Sequence, residues 1–227
     1  MIRTVTETGS TNDDIASLAR DGAAEGLWLR AERQSGGRGR QGRTWLSPPG
    51  NLHASTIVRL RPGDPSAPTL ALVAAVALHD VVASHVASVR IKWPNDLLVD
   101  GAKIAGILLE REGDAVIAGF GVNVAHYPVG LAQPTISMTA LGGDPPVASS
   151  LCERLARAFA MRLEEWRGEG LGPVRAAWLA AAHPIGTPLA TGEGKGFFDG
   201  LDDSGALRLR MADGQCRLIH AGDVFLL

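Results

Sequence analysis

The sequence predicts an α/β (α+β) domain followed by a small C-terminal β-barrel, and three observations carry that prediction. The middle of the chain reads as strands joined by tight turns, centred on the hairpin dipeptide Asp100-Gly101, which makes an antiparallel meander rather than a βαβ unit. Helix-period segments flank the meander, one over 68–88 and one over 149–167 with Leu151, Leu155, Phe159 and Leu163 at i, i+4 spacing. After Pro184 the texture changes to short strands at 188–191, 196–199, 206–210, 215–220 and 224–227, separated by Gly/Asp turns. We place the domains at 1–184 and 185–227. The second is below the size that folds easily alone, so it should pack on the first.

Taken in order, Ser10-Thr11-Asn12 supplies N-cap residues, and Asp13 and Asp14 put negative charge in the first turn of a helix. Ile15, Leu18 and Ala19 form its apolar stripe, and Asp21-Gly22 ends it. A strand over 27–32 leads into an Arg/Gly loop over 33–43. Pro48-Pro49-Gly50-Asn51 is a turn, 54–60 a strand, and the Pro62 to Pro65 stretch another break. The helix over 68–88 is Ala/Val-rich and apolar nearly all round, hence buried. Strands follow at 89–93, 96–99, 103–110 and 115–124, then a Pro/Gly/Ser-rich loop over 126–147. A second helix of the C-terminal half covers 173–182 and stops at His183-Pro184.

The chain has 227 residues, 45% of them apolar, enough for a proper core. A net charge of −2 argues against a protein whose main business is gripping nucleic acid. Cys152 and Cys216 lie far apart with no CxxC, so they form neither a metal pattern nor a disulfide framework, and a reducing cytoplasm is the simplest setting. The N-terminus has no apolar h-region, and the longest apolar run, 70–78, is too short to span a bilayer. No membrane partner is expected.

The loop RQSGGRGRQGR (33–43) holds four arginines and four glycines in eleven residues, with no acidic or large apolar side chain. Glycine lets backbone N–H groups approach a ligand, and the guanidinium fork fits carboxylate or phosphate. Its like charges repel, so it should stay mobile until an anion neutralises them. A solvated flexible loop and an RNA-binding RGG-like segment are the bland alternatives. Its position between strands, away from a terminus, points to a small-molecule anion-binding loop. Three further clusters accompany it: Lys92-Trp93-Pro94-Asn95-Asp96 at a strand start, Lys103-Ile104-Ala105-Gly106-Ile107-Leu108 with a lysine heading an apolar strand, and Gly119-Phe120-Gly121-Val122-Asn123-Val124. Singly, Lys103 reads equally as a hairpin charge, Asn95-Asp96 as a turn pair, and Asn123 as a loop cap.

Together these motifs resemble those of the biotin protein ligases. Gln34 to Trp45, KWPND at 92–96, KIAGIL at 103–108 and GVNV at 121–124 match in order and spacing, and Ser10-Thr11-Asn12 is similar to the family's early substrate-contacting segment. The resemblance covers essentially the whole chain. Bifunctional members carry a helix-turn-helix domain before that early segment, whereas nine residues precede Ser10 here, so the monofunctional, non-repressor type is implied. It further implies a mixed-sheet catalytic domain, shared with lipoate ligases, and an SH3-like barrel. The implied reaction has two steps. The biotin carboxylate attacks the α-phosphate of ATP, with Mg²⁺ on the phosphates, giving biotinyl-5′-AMP and pyrophosphate; a lysine of a biotin carboxyl carrier domain then attacks the anhydride. The implied enzyme is a monomer or weak homodimer.

The resemblance assigns Lys103, Arg40 and Arg38 to catalysis. It assigns Ser10, Thr11, Asn12, Gln34, Gly36, Gly37, Arg38, Lys103 and Gly106 to biotin. Arg38, Arg40, Trp45, Lys92, Asn95, Lys103 and Asn123 fall to ATP, with Trp45 a candidate to cover adenine and Asp96 a candidate metal ligand. The physics agrees, because two anions must meet and fixed cations must face the developing charge. Lipoate attachment on the same fold is the runner-up; an RNA-binding module and a degenerate, non-catalytic ligand-binding protein stand outside the enzyme reading.

Overall fold

The structure, a computed structural model, describes residues 1–142 and 144–227; Gly143, inside the 126–147 loop of the sequence reading, lies outside the described residues. The chain opens with β1 (Ile2–Thr8), α1 (Thr11–Arg20), β2 (Trp28–Gln34), β3 (Leu52–Arg59) and α2 (Leu70–Val82). The meander follows as β4 (Val89–Lys92), β5 (Asp96–Val99), β6 (Ala102–Glu112) and β7 (Ala115–Val122), then α3 (Ala148–Glu169) and α4 (Leu171–Ala181). These seven strands form one mixed sheet in the order β1-β2-β3-β7-β6-β5-β4.

The strand β1 has no counterpart in the sequence reading. Its half-buried positions are Ile2, Val5 and Thr8, three apart, so it carries no period-2 signal. It forms because α1 returns the chain to lie parallel beside it, with Ile2 opposite Trp28 and Thr8 opposite Gln34. The N-terminus is therefore a βαβ unit, while the meander from β4 to β7 is antiparallel throughout, as its turns require. The helix expected over 68–88 ends at Val82, and Ser88 adopts a left-handed φ of 61° ahead of β4.

Strand alternation divides the sheet into two faces. Trp28, Ala54, Val58, Ala118 and Phe120 face α2 and α3 in the main core, where Trp28 and Phe120 stack at 5.4 Å and Phe159 of α3 meets both edge-on. Leu29, Ile57 and Ile117 face the other way and are covered by Ile15 and Ala19 of α1. One ten-residue helix cannot cover seven strands, so part of that second face stays open.

The C-terminal strands β8 (Pro188–Thr191), β9 (Gly194–Leu201), β10 (Leu207–Arg210), β11 (Cys216–Ile219) and β12 (Val224–Leu226) make a five-stranded antiparallel sheet in the order β11-β10-β9-β8-β12. Leu189, Phe198, Leu207, Leu209 and Val224 belong to the same buried cluster as α2, α3 and α4. Trp178 of α4 meets Phe198 at 6.3 Å, and Trp93 Nε1 donates to the Gly205 carbonyl at 3.2 Å. Both cysteines are free, Cys152 buried and Cys216 exposed. Among the described residues no helix is long and apolar enough to cross a membrane.

Candidate active site

Cross-strand register builds the site. His53 lies opposite Gly121, Gly121 opposite Gly106, Gly106 opposite Asp96, and Asp96 opposite Lys92. Directly opposed residues share a face, so one row crosses five strands and ends in a carboxylate and an ammonium. A parallel row sets Ser55, Gly119 and Leu108 side by side. Both rows lie on the α1 face, since Ser55 is two residues from Ile57. Here, beyond the cover of α1, a cavity of about 640 Å³ opens.

The glycines at the centre of the row leave bare sheet, and the Trp45 indole lies on it. A Cβ on Gly121 would stand 2.5 Å from the indole, and one on Gly106 would stand 3.3 Å from it and 3.0 Å from Lys103 Nζ. The close approach that Gly106 permits is thus made by Trp45 and Lys103. The Trp45 Nε1–H is buried without a partner among the described residues, a donor waiting beside the cavity.

At the β2–β3 end the lining is polar. The Thr11 amide donates to Gln34 Oε1 at 2.8 Å, and Gln34 Nε2 donates to Ser47 Oγ at 2.9 Å. The Thr11 and Ser55 hydroxyls are 2.7 Å apart, Ser55 donates to Asn12 Oδ1 at 2.6 Å, and Asn12 Nδ2 donates to Glu110 at 2.6 Å. Ser10 occupies the N-cap position but makes no side-chain capping bond. It is buried and lines the cavity, so the Ser-Thr-Asn segment serves the cavity rather than the helix end.

At the β5–β4 end the lining is cationic. Lys103 Nζ is 2.6 Å from Asp96 Oδ1 and Lys92 Nζ is 3.1 Å from Asp96 Oδ2. Burial alone would raise the Asp96 pKa, but the Lys103 and Lys92 ammonium groups outweigh it and hold the carboxyl below its ordinary value. Lys103 is also fixed from behind. Its N–H donates to the Pro134 carbonyl at 2.8 Å, and Ile136 N–H donates to its carbonyl at 3.0 Å. The Asn123 amide donates to Ile136 O at 3.1 Å, pinning this part of the 126–147 loop to the sheet. Asn95 donates to the Ile107 carbonyl and accepts from Arg40 at 3.3 Å.

The Arg/Gly loop corrects the expectation that only an anionic ligand could hold it. It folds back on itself, with bridges between Arg38 and Thr44 and between Gln34 and Ser47, and a short 3₁₀ turn at Arg40–Gly42. Protein carboxylates supply the counter-charge. The Arg38 fork grips Asp13 at 2.5 and 2.6 Å, with Glu110 at 3.5 Å, and its hydrogen bonds hold the Asp13 carboxyl below its usual value. Arg43 is 3.1 Å and Arg40 3.7 Å from Asp223. Gly36 and Gly37 stand at the root of the loop, Gly36 N–H donating to Gly9 O at 2.8 Å and Gly37 O accepting from Trp45 N–H at 2.9 Å; neither lines the cavity.

The cavity therefore gathers Ser10, Thr11, Asn12, Gln34, Arg38, Arg40, Trp45, Lys92, Asn95, Asp96, Lys103, Gly106 and Asn123 in one place. It adds Ser55, the apolar Pro128, Leu131 and Ala132, and Asp223 with Phe225 of the C-terminal unit. No periodicity or motif marks these additions, because they reach the cavity only through sheet register and domain packing. Among the described residues no group of three or more His, Cys, Asp or Glu side chains could hold a metal, and both Asp96 oxygens face ammonium groups. The residues do not fit a protein-caged Mg²⁺.

A cofactor-sized cavity on the open face of a mixed sheet, carrying an Arg/Gly loop and two lysines on one buried carboxylate, defines a class. Residues 8–125 match the Biotin/lipoate A/B protein ligase family, and the chain belongs to it. Residues 189–227 match the Biotin protein ligase C terminal domain. The biotin–[acetyl-CoA-carboxylase] ligase of Paracoccus denitrificans is 39% identical over 242 residues, covering 96% of this chain and 97% of that protein. The fold is that of the biotin protein ligase from Aquifex aeolicus solved in complex with biotin and ATP, with a TM-score of 0.90 at 22% identity, covering 100% of this chain and 99% of that one. A biotin protein ligase from Leishmania major solved with biotinyl-5-AMP aligns at a TM-score of 0.70 and 25% identity, covering 97% and 98%.

Proposed function

We propose that the protein is an ATP-dependent ligase that forms biotinyl-5′-AMP in this cavity and transfers biotin to a lysine of a biotin carboxyl carrier domain. The observation that carries the reading is the polarity gradient along one cavity. A neutral hydrogen-bonding network sits at β2–β3, and the two lysines sit at β6–β4. From β3 to β6 is two strand spacings, about 10 Å. A ligand with a neutral amide-like head and an anionic tail lies across that span with each end matched.

Gln34, Asn12, Ser10 and Thr11 bind the ureido head, with Thr11 bonded to Gln34 and Ser55, and Asn12 bonded to Ser55 and Glu110, so that these side chains are held in orientation. Lys103 takes the carboxylate and the α-phosphate together, offsetting the repulsion of two anions and holding them in line. Its own position is set by Asp96, which Lys92 keeps ionised. Arg40 and Arg38 face the phosphates. Trp45, beside Lys103 with its ring face 5.4 Å from Nζ, excludes water from the reacting centre, and Pro128, Leu131 and Ala132 offer an apolar wall for adenine. The chemistry needs no nucleophile from the protein, since the carboxylate attacks and pyrophosphate leaves. The carrier lysine then displaces AMP.

The network at the β2–β3 end favours a ureido head over the dithiolane of lipoate, which offers nothing to hydrogen-bond. Incubation with ATP and labelled biotin, or with labelled lipoate, tests this directly. Adenylate from biotin alone is expected; adenylate from lipoate and not from biotin would overturn the reading.

A further inference from the structure

Beside the longer Arg38–Glu110 and Arg33–Glu7 contacts at 3.5 and 3.8 Å, two carboxylates from widely separated parts of the chain fasten the Arg/Gly loop. One is Asp13 on α1, gripped by Arg38. The other is Asp223, in the C-terminal unit. Arg43 lies 3.1 Å and Arg40 3.7 Å from the same Asp223 oxygen, and Arg40 also donates to the neighbouring Gly222 carbonyl at 3.1 Å. Asp223 cannot follow the loop if it moves. The next residue, Val224, is 2% exposed in the core shared by both units and pairs with Thr191 in the sheet, and Phe225 beyond it lines the cavity.

We propose that Asp223 is a positioning residue through which the C-terminal unit latches the Arg33–Arg43 loop over the cavity; this rests on reading the cavity as the ligase site. The geometry divides the labour between the two arginines. Arg40 shares its fork among Asn95, Gly222 and the more distant Asp223 oxygen, so it can turn to a ligand phosphate. Arg43 has Asp223 at close range and its Nε on the Arg40 carbonyl, so it keeps the strap fixed while Arg40 is engaged. The latch is a partly exposed ion pair. It is therefore weak enough to release product, and it is screened by salt. Docking of the C-terminal sheet thereby sets how long the loop stays shut and how long an adenylate is retained.

The test uses the full chain without ligand. Asp223→Asn keeps the shape and removes the charge. Trypsin cleavage after Arg38 and Arg40, read by mass spectrometry, should become about two- to fivefold faster at low salt, the range that an exposed ion pair supports when cleavage tracks the open population. Raising the parent to about 0.5 M NaCl should close most of that gap. Arg43→Gln, which leaves the weaker Arg40 contact at 3.7 Å, should accelerate cleavage in the same direction, and the double variant should be no faster than Asp223→Asn alone, because that substitution already removes the Arg43 contact. Melting temperatures identify any variant that has lost its fold, and the exposed Arg43→Gln then carries the comparison. Release of preformed biotinyl-5′-AMP should quicken by a similar factor. Parent-like cleavage in Asp223→Asn and Arg43→Gln, or additive effects in the double variant, would overturn the latch. Accelerated cleavage in a protein that makes no adenylate from biotin and ATP would leave the latch standing and refute the functional reading instead.

Discussion

Replacing Lys103 by alanine removes the cation on which the proposed first step depends. Its side chain is 20% exposed, and its Nζ is 2.6 Å from Asp96 and lies over the Trp45 ring. A unit charge about 4 Å from the developing charge, at an effective dielectric near 20, contributes about 4 kcal/mol. Partial exposure trims this, and loss of one such donor costs about 10²–10³ in rate. Biotin-dependent ATP–pyrophosphate exchange should fall by that factor. Stability is a separate quantity. Asp96 keeps Lys92 at 3.1 Å but loses its shorter partner, a cost of about 1–3 kcal/mol. A melting curve run beside the exchange assay therefore separates damage to the fold from damage to the chemistry. Lys103→Arg should not restore the rate, because a planar fork cannot replace a compact ammonium between Asp96 and the indole. A folded Lys103→Ala variant with less than about 10-fold loss would refute the role. A higher KM for ATP with unchanged kcat would refute it equally, since that pattern marks uniform binding.

Three other outcomes follow from the geometry. Arg40→Gly should still form adenylate but release it faster, and trypsin protection of the loop by biotin plus ATP should weaken; parent-like retention and protection in filter-binding and digestion assays would contradict this. Gly121→Ala puts a methyl 2.5 Å from the Trp45 indole and should cost about 1–3 kcal/mol in a urea melt while lowering biotin affinity. Unchanged affinity and indole fluorescence would show that Trp45 does not rest there. Burial pushes the His53 pKa down to about 4, from 6.5, so the unfolded chain binds the proton first. Stability from this group is complete above pH 6.5 and declines by about 3 kcal/mol as the pH falls to about 4. Urea midpoints at pH 7 and 4.5 should show the decline in the parent and less of it in His53→Gln.

Much of the fold is legible locally. The Asp100-Gly101 turn specifies its hairpin, the i, i+4 leucines of α3 specify a helix, and the Gly/Asp turns after Pro184 mark the short strands of a second sheet. So are most of the polar residues that line the cavity, because arginine next to glycine, lysine at a strand head and paired polar side chains have few structural uses together. What local pattern leaves open is partnership. The strand β1 shows no alternation and exists only because β2 runs beside it. Ser10 reads as a helix cap and instead faces the cavity. Gly106 reads as a site of close approach, but only the alignment of β6 with β7 sets it opposite Gly121 and makes a bed for Trp45. The Arg/Gly loop looks free of anchors because Asp13, Glu110 and Asp223 lie 25, 72 and more residues away from Arg38 or Arg43 along the chain. The sequence alone therefore determined most of the elements and the inventory of charged and polar side chains, since those follow from short-range propensity and chemistry. Only the tertiary structure decided which charges meet, because ion pairs and sheet register form between segments whose separation along the chain leaves no periodic trace.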